Sequence, residues 1–289
     1  MIPGIDVSHW QHDIDWSEVK RSGVKFAFIK ATEFPDRKTA LFISPKMREN
    51  IHGADGNGIY WGAYHFFRTH IDPILQAQAF CETVGHFSSL PPVCDLEAAG
   101  SKGERLNLKV RQFLEEVERI THRKPVIYTS GGFWRSYITY EKTTHTDWAR
   151  QYNLWIAHYT NMWPNPLYPW AGWDFWQYSN KGRIPGIQTD VDLNWFNGTL
   201  EELERKFIHL RIENSSGMKS KITDDDYQNF YPDIHTRNVD SHDKNFPMTT
   251  VLDTLSYEKK GEALNYSGDQ TDLPENEGWV QPNNFRKGF

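Results

Sequence analysis

The sequence predicts an α/β fold, an irregular closed barrel of eight strands followed by a C-terminal extension poor in apolar residues. Three observations predict it. Short apolar runs recur about every thirty residues, segments with helical periodicity or helix-start signals lie between many of them, and both patterns stop after Phe207. A chain of 289 residues has room for a domain of about 200 residues and an appendage.

The first strand is predicted at residues 2–7, and the others at 26–32, 61–67, 92–97, 125–130, 154–159, 174–178 and 190–195. Helices are expected at 17–22, 45–56, 73–85, 107–121 and 132–140. Several open on Ser, Asp or Asn followed by Pro or an acid, which satisfies free N–H groups and suits the positive end of the helix dipole. The connections after the fifth and sixth strands carry Trp, Pro and Tyr rather than a helical period, so that side of the barrel is expected to be irregular. Residues 208–289 hold many Asp, Asn, Ser and Lys, including Asp224-Asp225-Asp226, and bury too little apolar surface to fold firmly alone. An extended tail packed on the barrel or on another protein is expected, with a small binding module as the alternative.

Composition narrows the partners. Aromatic residues make up 15% of the chain, more than a core of this size needs, which points to a surface that stacks on ring-shaped ligands such as sugars. A net charge of -6 without clustered Lys and Arg excludes a nucleic-acid or anionic-membrane partner. Met1-Ile2-Pro3-Gly4 has neither the basic nor the apolar stretch of a secretion signal, and no run reaches the 18 or so apolar residues of a membrane span. Cys81 and Cys94 are too few for a disulfide framework and read as buried free thiols. His9 and His12 are isolated, His65 sits in an apolar strand, and H-E-x-x-H is absent, so neither metal nor cofactor is expected.

The chemistry concentrates at Asp95-Leu96-Glu97. Alternate residues of a strand share a face, so the two carboxyls point the same way. In a partly buried site they do not both ionise cheaply, and one holds a proton near neutral pH. The C-terminal ends of barrel strands form the active-site mouth. The polar groups placed there are Asp6, Lys30 and Glu33, Tyr64 and His65, Asp95 and Glu97, Tyr128, Trp176 and Gln177, and Asp190 and Asp192. Barrel closure brings Asp6 beside Asp192, with Asp190 a rival on the same strand face. Each close pair of like charges costs about 1 to 4 kcal/mol, so four acids at one rim ask for a compensating role. Dispersal over several strands disfavours calcium, and the surrounding aromatics favour acid–base chemistry on a neutral glycan.

Seven stretches in order resemble the motifs of glycoside hydrolase family 25, the Chalaropsis-type lysozymes of phages, bacteria and fungi. They are Gly4-Ile5-Asp6-Val7-Ser8-His9-Trp10-Gln11, Phe28-Ile29-Lys30-Ala31-Thr32-Glu33, Gly62-Ala63-Tyr64-His65-Phe66, Asp95-Leu96-Glu97, Ile127-Tyr128-Thr129-Ser130, Trp176-Gln177-Tyr178 and Asp192-Leu193-Asn194. The resemblance covers residues 1–207 and leaves 208–289 as an extension unlike known wall-binding modules. It implies a flattened, TIM-like (β/α)5(β)3 barrel that cleaves the β-1,4 bond between N-acetylmuramic acid and N-acetylglucosamine in peptidoglycan. It implies Glu97 as general acid, Asp6, Asp95 and Asp192 as the other acidic site residues, and Lys30, Tyr64 and Tyr128 as groups lining the cleft, to which Trp176 is added as a substrate-binding candidate. Asp95 is left with two roles, stabilising oxocarbenium-like charge or orienting the substrate's own acetamido group. A phage endolysin held in the host cytoplasm, or a virion or injection-device lysozyme, fits the missing signal. The alternatives are a non-catalytic glycan-binding or structural particle component, and a chitinase.

Overall fold

The computed structural model describes residues 1–35, 40–85, 88–139 and 145–208. From residue 209 onward the expected extension lies outside the described residues. The strands are β1 (Ile2–Val7), β2 (Phe26–Glu33), β3 (Phe42–Ile43), β4 (Tyr60–Phe66), β5 (Val93–Asp95), β6 (Val126–Ser130), β7 (Asn153–Ala157), β8 (Phe175–Gly182) and β9 (Val191–Phe196). Eight of them close a ring in the order β1, β2, β4, β5, β6, β7, β8, β9, with β9 returning to β1. Only β9 runs antiparallel to its ring neighbours, β8 and β1. The ninth, β3, is a two-residue addition against Thr32 and Glu33, too short to leave a periodic signal in the sequence.

Helices α1 (Trp16–Arg21), α2 (Met47–Gly56), α3 (Pro73–Val84) and α4 (Gly103–Thr121) cover the first half of the barrel. Asp15 caps α1 by accepting from the Ser17 and Glu18 amides, and Asp72 caps α3 ahead of Pro73, as their residue types predict. After β6 only a short α5 (Gly131–Phe133) and a wide turn over Trp134–Ile138 follow, then a single tight turn at Asp147–Gln151. No helix joins β7 to β8 or β8 to β9, so the barrel is irregular on the predicted side.

Alternation along each strand sorts the core into two layers. Phe26, Phe28, Val93, Val126, Trp155, Phe175 and Phe196 fill the barrel interior. Ile5, Ile29, Trp61, Ala63, Cys94, Ile127, Leu154 and Ile156 face outward to pack the helices and loops. A Phe or Leu buried in this way contributes about 1.5 to 3 kcal/mol. The large interior rings need room, and Gly4 and Gly62 supply it: a Cβ on Gly4 would lie 2.3 Å from the Phe26 ring, and one on Gly62 3.0 Å from Phe28. Because β9 runs backward, its C-terminal end leads to the barrel floor. The short α6 (Leu200–Leu203) and the turn after it place Phe207 there, its ring centroid 5.5 Å from that of Phe175. The opposite end stays open as the mouth.

Candidate active site

Inward-facing positions near the open end carry polar groups in place of the rings below. On β1 this is Asp6, on β6 Tyr128, on β8 Gln177, on β9 Asp192 and Asn194. Past the end of β5 the alternation continues through buried Leu96, facing outward, to Glu97 at the mouth. Asp6 and Asp192 lie directly opposite one another across β1 and β9. The expected proximity holds, by a route the sequence hid: Asp192 stands at the start of its strand, and reaches the mouth because β9 is antiparallel. Asp190 precedes β9, is exposed, and pairs with Arg183 at 2.7 Å.

Asp6 is held by a buried network. The Gln177 amide donates to its Oδ2 at 2.9 Å and the Asn194 amide to the same oxygen at 2.8 Å. Each amide is locked from its other side. Tyr128 and Tyr159 hydroxyls both donate to Gln177 Oε1 at 2.8 Å, and the Trp155 indole donates to Asn194 Oδ1 at 2.8 Å. With both carbonyls engaged by donors, both NH2 groups must face Asp6. Burial raises Asp6 to about 6, and the hydrogen bonds from Asn194, Gln177 and Asp192 offset part of that rise. Asp192 is pushed up to about 9, by burial first and then by Asp6. The pair therefore holds one proton across the neutral range, carried by Asp192 and donated to Asp6.

On the opposite side of the ring, burial and then Glu97 raise Asp95 well above the usual carboxylate range. Glu97 is also raised, by desolvation within the concave mouth and then by Asp6, although its side chain keeps an open approach from solvent. Asp95 Oδ1 is buried and makes no hydrogen bond within the protein. Tyr64 lies among all four acids; burial and their charges raise its hydroxyl.

Lys30 stands beside them through a local irregularity. In a regular strand Lys30 and Glu33 would face opposite sides, but a bulge between Lys30 and Thr32 resets the alternation. Thr32 then bonds outward to His65, and Lys30 Nζ meets Glu33 at 2.6 Å. Arg68 Nε donates to the same carboxylate at 2.9 Å. Burial works to raise Glu33, yet these two cations hold it below its ordinary value. His65 is buried between Thr32 and Gln76 on the outer face, lowered to about 4 by desolvation, and thus neutral.

Seven of the eight candidates therefore meet at one mouth: Asp6, Lys30, Tyr64, Asp95, Glu97, Tyr128 and Asp192. Trp176 is placed differently. Its neighbours Phe175 and Gln177 point inward, so Trp176 turns out of the barrel, where it is 5% exposed and donates to the His158 carbonyl. Gln177 occupies the mouth at that level. Tyr159, Asn194, Trp155 and Arg68 belong to the site and were not singled out from the sequence, although period-2 spacing from Asp192 reaches Asn194.

A profile of the family described as Glycosyl hydrolases family 25 matches residues 5–187. The chain belongs to that family. As a family-25 enzyme it is a glycoside hydrolase, and Asp6, Asp95 and Glu97 fall inside the matched stretch. Lysozyme M1 of Streptomyces globisporus is 35% identical over 217 residues, covering 70% of this chain and 70% of its own length. The uncharacterized protein YegX of Escherichia coli strain K12 is 37% identical over 210 residues, 70% of this chain and 72% of its own. The crystal structure of the bacterial lysozyme from Streptomyces coelicolor superposes with a TM-score of 0.65 at 32% identity, covering 72% of this chain and 97% of that one.

Proposed function

We propose that this family-25 enzyme hydrolyses peptidoglycan at the β-1,4 bond between N-acetylmuramic acid and N-acetylglucosamine, with Glu97 as general acid. The observation that carries the reading is the asymmetry of the acid cluster. Asp6 and Asp192 satisfy each other with one proton, whereas Asp95 and Glu97 face the mouth with raised affinity for protons and few protein partners. Kinship with a protein named lysozyme supports peptidoglycan as the substrate.

Glu97 is the carboxyl open to the cleft, so its proton goes to the departing glycosidic oxygen. General-acid assistance of this kind contributes about 10² to 10⁴ in rate. Asp95 Oδ1, buried and without a protein donor, accepts the N–H of the substrate's 2-acetamido group. That contact aligns the acetamido carbonyl behind the anomeric carbon and stabilises the positive charge that develops there. Lys30 lowers the cost of charge on Asp95 and Glu97. Tyr128 and Tyr64 border the same space.

Digestion of purified peptidoglycan followed by borohydride reduction tests the bond assignment. Newly reduced muramic acid residues are expected; newly reduced glucosamine residues, or no new ends, would overturn it.

A further inference from the structure

Two aromatic platforms rise on opposite rims of the mouth, away from the acids. In the eight-membered ring, β2 and β7 stand diametrically opposed, and so do β5 and β9. Over the β1–β2–β3 corner, Trp10 is 68% exposed in the turn that leaves β1. Its ring centroid is 4.7 Å from that of His9, which in turn meets Phe42 of β3 at 5.5 Å. Over β7, the loop leaving that strand presents Trp163, 61% exposed, beside exposed Met162.

Trp163 is not a loose side chain. Its ring rests on buried Trp173 at 5.8 Å and on buried Trp176 at 6.3 Å, and Trp176 is pinned to the His158 carbonyl. The same loop begins with Tyr159, whose hydroxyl bonds Gln177 and so joins the platform to the Asp6 network. A single exposed aromatic is ordinary on a protein surface. Two braced ones at opposite rims, each adjoining the catalytic mouth, form a line.

We propose that Trp10 and Trp163 are distal sugar-stacking platforms, so that a glycan strand crosses the mouth from the β2–β3 rim to the β7 rim. Asp95 and Glu97 then flank it on one side, and Asp6 and Asp192 on the other. The apolar face of a pyranose ring lies on each indole, and the occupant is an uncharged stretch of the same polysaccharide that is cut between them. This rests on the hydrolytic reading above and adds a direction and a length requirement to it.

The test uses the full chain and un-crosslinked glycan fragments of increasing length. Trp10→Ala and Trp163→Ala are each expected to lower kcat/KM on the longest fragments about five- to tenfold, through KM. That factor corresponds to about 1 to 1.4 kcal/mol of ring stacking. On the shortest cleavable fragment both variants should stay within about twofold of the parent. Trp163→Phe should recover most of the loss, and melting temperatures should not move, since both side chains are exposed. Equal losses at every length, or none on long fragments, overturn the platforms while leaving hydrolysis intact. A parent protein that cuts no fragment defeats the hydrolytic reading itself, and the platforms with it.

Discussion

Replacing Asp192 by Asn tests the shared proton of the Asp6–Asp192 pair. In the folded protein Asp192 keeps its proton up to about pH 9, whereas an Asp in an unfolded chain loses it near pH 3.9. Between those values the native state holds the extra proton. The sign is therefore opposite to that of a salt-bridged carboxylate: the stability is fully present at low pH and falls as pH rises, by about 1.4 kcal/mol per unit. From about pH 5 to about pH 8 the loss from Asp192 amounts to about 4 kcal/mol. Asn has nearly the same shape, offers an N–H to Asp6 in place of the O–H, and does not titrate. Urea unfolding at pH 5, 6, 7 and 8 should give parent and Asp192→Asn midpoints within about 1 kcal/mol of each other at the acid end, and a variant more stable by about 4 kcal/mol at the alkaline end. Asp95 and Glu97 add slopes of the same sign to both proteins, so the difference between the two curves is the quantity to read. Parallel curves, offset by a constant, would refute the shared proton.

Two further substitutions probe how the site is built. Gln177→Met removes a donor to Asp6 and the shared acceptor of the Tyr128 and Tyr159 hydroxyls. Leaving these buried groups unpaired is expected to cost about 2 to 5 kcal/mol in urea unfolding, and a loss below about 1 kcal/mol would contradict the network. Gly4→Ala would set a methyl 2.3 Å from the Phe26 ring, while Gly56→Ala, at the end of α2, meets nothing within 4 Å. The first should destabilise by about 1 to 3 kcal/mol or prevent folding, and the second should stabilise by about 0.4 to 1 kcal/mol. Similar thermal shifts for the two would dismiss the idea that interior glycines make room for the barrel rings.

Much of this architecture is legible because period-2 alternation survives in each strand. The spacing from Asp95 to Glu97 gives a shared face even though β5 ends at Asp95. Periodicity carries no direction, however, so the backward run of β9, on which the position of Asp192 depends, cannot be read from it. The same alternation separates Gln177 from Trp176, and choosing between adjacent residues requires knowing which face is inside. The Lys30–Glu33 pair is hidden for a different reason: a bulge breaks the rule that i and i+3 oppose. Tyr159 and Trp163 lie at and beyond the end of β7, in a loop without any period, and only the closed ring brings them to the mouth. The helix over residues 107–121 begins four residues early, at Gly103, because Gly103 and Lys102 give no capping signal.

The account stands or falls on Glu97 as proton donor. The most direct measurement compares the full chain with its Glu97→Gln variant for the rate of new reducing ends released from purified peptidoglycan. Gln keeps the shape and loses the proton, so the rate should drop by about 10² to 10⁴ while the unfolding midpoint is unchanged or slightly raised, since a carboxyl with a raised pKa has been neutralised. A variant that folds normally and still releases reducing ends at close to the parent rate would contradict the assignment.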